Sequence, residues 1–228
     1  VKFQVWEASP NYTGPAGQTA KYGQKLGEII LDNPAGNMPG TWSWHEPDTV
    51  LDQIGTSKHY AEFTPDDTNY KSVDFVEVEV TVEQGDGKNL ATVELSQKYA
   101  DTSDHTYTPD WSGLPAGQTW NYDCEYSVSS GSTATLTKKN VSAANGELTY
   151  AVSGGKAGDK ITVTLKAQCN NYKDFTITLD ITITKADSTG EPAYTKITTG
   201  GKTLADAGLT LTGSTLNPAV GTLEWIDD

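Results

Sequence analysis

The chain has 228 residues with 22 Gly, 10 Pro, one Met and 36% hydrophobic residues, too apolar for a disordered segment and suited to a loop-rich β protein. Its 30 acidic against 16 basic residues leave a net charge of -14, which repels phosphate backbones and anionic headgroups and argues against nucleic acid or membrane partners. No stretch approaches the roughly 18 consecutive apolar residues of a membrane-spanning helix, and the opening VKFQVWEASP lacks the basic-then-apolar layout of a signal peptide.

From the N-terminus, Trp6 is expected to be exposed. Residues 22–44 (YGQKLGEIILDNPAGNMPGTWSW) form a Gly- and Pro-punctuated block in which Trp42 and Trp44 share one strand parity and so face one side. A Thr-Pro-Asp-Asp turn follows with Asp66 and Asp67. Over residues 73–83, Val76, Val78, Val80 and Val82 alternate with Glu77, Glu79, Thr81 and Glu83, the period of a half-buried antiparallel strand. Gly85-Asp86-Gly87 comes directly after it and reads as a linker.

The loop at 99–111 carries Asp101, Asp104 and Asp110 and ends on Trp111, also expected to be exposed. Strand patterns then recur at 119–128, 133–139, 147–152, 161–167 and 175–183, separated by Gly, Pro and Asn turn clusters, and almost nothing reads as a helix. Many short strands with turns between them predict an all-β chain of β-sandwiches, because a sheet with one apolar face packs it against another layer. A second composition break, ADSTGEP at 186–192, closes this region.

Residues 201–225 repeat the first block in degenerate form. Leu204 matches Leu26, Asn217-Pro218-Ala219 matches Asn33-Pro34-Ala35, Gly221-Thr222 matches Gly40-Thr41, and Trp225 matches Trp44. The second copy has no counterpart of residues 63–67 or of the Val strand, as expected of a piece cut from a tandem array. The predicted units are 1–84, 88–186 and a partial third at 192–228. Half a sandwich leaves open edges, so the tail from about residue 195 is expected to be poorly ordered, packed on the second unit, or completed by another copy of the chain.

The succession Tyr22-Gly23-Gln24-Lys25-Leu26, Pro39-Gly40-Thr41-Trp42-Ser43-Trp44, Gly55-Thr56, Phe63-Thr64-Pro65-Asp66-Asp67, Asn69-Tyr70 and the closing Val strand resembles the tandem immunoglobulin-like repeats of large cell-surface proteins of Gram-positive, often gut-dwelling, bacteria. Leu114-Pro115-Ala116-Gly117, residues 146–150 (GELTY) and 171–176 (NYKDFT) resemble the modules that accompany them. The resemblance implies tandem immunoglobulin-like β-sandwich domains at the bacterial cell surface or cell wall, serving as spacers that present distal domains, or as adhesins. It carries over no catalytic residue. The second region departs from the antibody pattern, with no Trp between Cys124 and Cys169.

Cys124 has the parity of Trp120, Tyr122 and Tyr126, and Cys169 that of Ile161, Val163, Leu165 and Ala167, so both thiols are expected to face one core. Two readings stay open: separate buried thiols acting as small hydrophobes, or one inter-sheet disulfide closing about 46 residues and worth about 4 kcal/mol if unstrained.

His45, His59 and His105 sit in no HExxH or GxSxG context, and neither a P-loop nor a dinucleotide glycine pattern occurs, so the chain is expected not to be an enzyme. No cofactor is expected apart from calcium, for which Asp66 and Asp67 or Asp101, Asp104 and Asp110 are the candidate oxygen donors, although neither group has EF-hand spacing. Trp111 and Trp6 are the candidate stacking platforms for host or plant glycans, with surface proteins as the other partner class. An internal Lys isopeptide bond finds no Lys at the core parities. A monomer is expected unless another copy completes the partial repeat.

Overall fold

The computed structural model describes residues 6–198, 200–217 and 221–225. Their regular structure consists of strands and two short 3₁₀ turns, so the chain is all-β. Strands β1 (Gln18–Lys21), β2 (Gly40–Trp44), β3 (Gly55–Pro65) and β4 (Val73–Glu83) form one sheet in the order β1-β4-β3-β2. β1 runs parallel to β4 and the other pairs are antiparallel.

Strand alternation collects Trp42, Trp44, Ala61, Phe63, Val78, Val80 and Val82 on one buried face. Their cover is not a full second sheet. Residues 23–27 and 47–51 run antiparallel through Gly23 N to Leu51 O (2.8 Å), Leu26 N to Thr49 O (2.8 Å) and Gly27 N to Pro47 O (2.7 Å). A 3₁₀ turn at Leu26–Glu28 and the missing N–H of Pro47 keep this pair from becoming a regular ladder. Leu26, Ile29, Leu31 and Leu51 fill the space beneath. Trp44 Nε1 donates to Ile29 O at 2.8 Å, so both ends of that indole are satisfied inside.

The next strands are β5 (Asn89–Lys98), β6 (His105–Tyr107), β7 (Asn121–Val128), β8 (Thr135–Val141), β9 (Leu148–Ser153), β10 (Lys160–Gln168) and β11 (Phe175–Thr184). They form two sheets, β5-β11-β10-β7 and β6-β9-β8. Ile161, Val163 and Leu165 of β10 and Ile177, Leu179 and Ile181 of β11 share one core with Leu148, Tyr150 and Val152 of β9, so the sheets pack face to face. Each fully buried Ile, Leu or Val there contributes about 1.5–3 kcal/mol of transfer free energy. This is the strand arrangement of an immunoglobulin-like sandwich, with the first strand lying parallel to the last on the four-stranded sheet. The first sheet repeats that order: β1, β4, β3 and β2 stand where β5, β11, β10 and β7 stand.

β5 is absent from the strand patterns read along the sequence. Its inward Ala91, Val93 and Leu95 are only partly buried at the sheet edge, and the series ends on the buried amide of Gln97.

In the tail, β12 (Ala193–Tyr194) pairs with β13 (Leu209–Thr210), and a second 3₁₀ turn spans Leu204–Ala207. It matches the first turn in its cap: Asp206 Oδ2 accepts Thr203 N at 2.8 Å as Glu28 Oε2 accepts Lys25 N at 3.4 Å. Burial does not repeat. Leu26 is 1% exposed and Leu204 48%, and Trp44 is 7% exposed and Trp225 37%. The local turn recurs where its residues recur, but among the described residues of the tail only the β12–β13 strand pair accompanies it. Pro218 and Ala219 of the repeat lie outside the described residues.

Candidate functional site

The segment joining β4 to β5 has no slack. Gly85 N donates to Asn171 O at 3.0 Å, Lys173 N donates to Gly85 O at 2.9 Å, and Gln84 Nε2 reaches Asn170 O at 3.0 Å. The Tyr172 ring lies on Gly85 so closely that a Cβ there would stand 2.4 Å from it. Tyr22, just past β1, meets Tyr172 edge-on with centroids 5.3 Å apart, and Gln118 links Asn171 (2.8 Å) to the Tyr22 hydroxyl (3.4 Å). Asp86 lies 3.3 Å from Lys173 and 4.0 Å from Lys21. These exposed pairs add little energy, but backbone bonds and interlocked rings tie the first sheet to the β10–β11 turn. Sequence reading marked Gly85-Asp86-Gly87 as a linker; the Tyr22–Tyr172 contact, between residues far apart in the chain, carried no local signal.

A second feature lies on the outer face of the first sheet. The β3–β4 register shifts between Ala61 and Phe63, opposite Asp74 and Phe75, making a β-bulge. Phe75 has φ 57, an outlier for a bulky residue, and remains 62% exposed. His45 stacks on it at 4.5 Å, and Tyr60 meets it edge-on at 6.0 Å.

A cavity of about 250 Å³ lies at the end of β5, lined by Gln97, Ala100, Asp101, Val152, Gly154 and Ile183 among others. Gln97 is buried, donates its amide to Asp101 O, and leaves Oε1 without a partner.

The residues singled out from sequence are spread across the molecule. Trp6 is 78% exposed. Trp111, expected to be exposed, is half-buried instead: its Nε1 donates to Asn145 O at 3.1 Å and its ring lies 5.3 Å from Tyr122 against the central core. The positive-φ turn at Gly146 lets the backbone come in under that indole.

Asp66 and Asp67 follow β3, while Asp101, Asp104 and Asp110 lie between β5 and β7, so the two acidic groups belong to different sheets. Their oxygens serve local bonds. Asp67 Oδ1 accepts Asn69 N (2.9 Å), Asp110 Oδ1 accepts Ser112 N (2.9 Å), and Asp104 pairs with Lys138. Hydrogen bonds from Ser103 hold the Asp101 carboxyl below the usual range. The described residues contain no group of three His, Cys, Asp or Glu side chains placed to hold a metal ion.

Asp101, Ser103 and His105 do cluster, but Asp101 (3.2 Å) and Ser103 (3.4 Å) both approach His105 Nε2. A nucleophilic triad places acid and nucleophile on opposite ring nitrogens.

The expectation that both cysteines face one core holds for Cys124 alone. Cys124 is buried, and burial pushes its thiol up despite nearby Lys139. Cys169 is half-buried and outside the core, because β10 ends at Gln168. Cys124 pairs with Leu165, four residues before Cys169, so the two cysteines are offset along neighbouring segments of one sheet by about 13 Å at roughly 3.3 Å per residue. That exceeds the Cα separation of a disulfide, and both thiols are free, which corrects the inter-sheet bridge.

No family model matches the chain, and no curated protein matches its sequence. Among solved structures, Sidekick-1 immunoglobulin domains 1-4 align over 82% of this chain at 10% identity with a TM-score of 0.28. The titin domains z1z2, solved in complex with telethonin, align over 79% of this chain and 99% of their own at 9% identity with a TM-score of 0.26. The chain spans about half (51%) of the Sidekick-1 fragment.

Proposed function

We propose that this chain is a non-catalytic spacer of an exported bacterial surface protein, built of immunoglobulin-like units at 1–84 and 88–186 with a partial third at 192–228, and presenting distal domains away from the cell. The observation that carries this reading is the junction at Gly85 and Tyr172. A spacer transmits reach only if its modules keep their relative direction, and backbone bonds from Gly85 to Asn171 and Lys173 with the Tyr22–Tyr172 packing supply that restraint. The net charge of -14 keeps neighbouring copies soluble and apart.

NMR relaxation tests the restraint. Residues 18–83 and 89–184 are expected to share one rotational correlation time in the wild type and to separate into two in the double variant Tyr172→Ala, Gln118→Ala. Two distinct times in the wild type would overturn the spacer reading.

A further inference from the structure

We propose that the outer face of the first sheet, centred on Phe75, binds an arginine-bearing basic polypeptide segment. Phe75 is held out by a bulge at φ 57, a conformation a bulky side chain adopts only at a cost. The inward neighbours Val78, Val80 and Val82 are buried without help from it, so the core does not require the ring. Its ring stacks on His45 and meets Tyr60 edge-on yet stays largely exposed, leaving an aromatic notch open to solvent.

The charges around that notch are one-sided. Glu77 and Glu79 follow Phe75 on the outer face of β4, Asp74 precedes it, and Glu62 lies opposite the bulge on β3. The cation among them, Lys58, is already bonded to Glu77 at 2.6 Å. Carboxylates beside an open π face suit a planar cation that stacks on the ring while donating to oxygens at its rim, which is what guanidinium does and ammonium does less well. A neutral sugar prefers a flat platform, whereas Tyr60 stands at 72° to Phe75 and makes a notch.

The test is an NMR titration of the full chain with a short Arg-Gly repeat peptide, a matched Lys-Gly peptide and a neutral cello-oligosaccharide. The expected result is saturable shifts at His45, Tyr60, Glu62 and Phe75, tighter with the Arg peptide and weakened by salt. Phe75→Gly, which suits the positive φ, is expected to weaken Arg-peptide binding about threefold to fivefold, the size of one exposed cation–π contact. Tyr60→Ala serves as the second variant if Phe75→Gly perturbs the fold, with the same direction expected. Equal binding by the variants would show general acidity alone and overturn the proposal. Shifts at this face with the oligosaccharide and not with the peptides would also overturn it.

Discussion

Phe63 has 0% exposure and lies 5.0 Å from the Trp42 ring, where strand alternation and the sheet register together aim it at the core of the first unit. Removing such a side chain forfeits its transfer free energy and leaves a cavity, so Phe63→Ala is expected to cost about 3–5 kcal/mol in urea denaturation. Asp159 is buried on the other sandwich. It accepts Ser132 Oγ at 2.7 Å and Lys156 N at 3.1 Å, and these bonds, that from Ser132 first, hold its carboxyl below its ordinary value of 3.8. A carboxyl depressed on folding stabilises fully above that ordinary value, and the gain is lost as pH falls through the lower folded value. Asp159→Asn is therefore expected to lower the melting temperature at neutral pH, with the gap to wild type closing as the pH falls below the ordinary carboxylate value. The two thiols give a third check. Native alkylation is expected to label Cys169 well before the buried Cys124, and both after unfolding without reductant; a Cys124–Cys169 peptide pair that separates only on reduction would contradict the register.

At the scale of elements, the Val76 to Val82 alternation and the Ile and Leu series of β10 and β11 were legible because every second residue is apolar and, Val76 apart, buried. β5 was not picked out, although Ala91, Val93 and Leu95 alternate with Thr92, Glu94 and Ser96: that apolar series is short and only partly buried, and the strand's partner β11 lies far along the chain. The bulge at Phe75 was equally hidden: its residue follows the strand parity, and only the shifted β3 register exposes the strain. Gly87 belongs to the same class. A Cβ there would stand 2.0 Å from Asp174 O, a backbone atom that cannot swing aside. Gly87→Ala is expected to destabilise the central sandwich by about 1–3 kcal/mol, measured by thermal unfolding, by prising β5 from β11.

For the whole molecule, composition and alternation determined an all-β chain and put Trp42 and Trp44 on one side of a strand, the side the structure buries. The block that repeats in sequence carries a capped 3₁₀ turn in both copies, at Leu26–Glu28 and Leu204–Ala207. Those features depend on residues adjacent in sequence, so a single strand's period or a single turn's cap encodes them. Tertiary structure decided the rest: that the first sheet is covered by turns instead of a second ladder, that Trp111 is tethered to Asn145, that Cys124 and Cys169 are out of register, and that Tyr22 locks onto Tyr172. Each is set by which distant segments meet and in what register, and a period of two along one strand says nothing of the partner it will find.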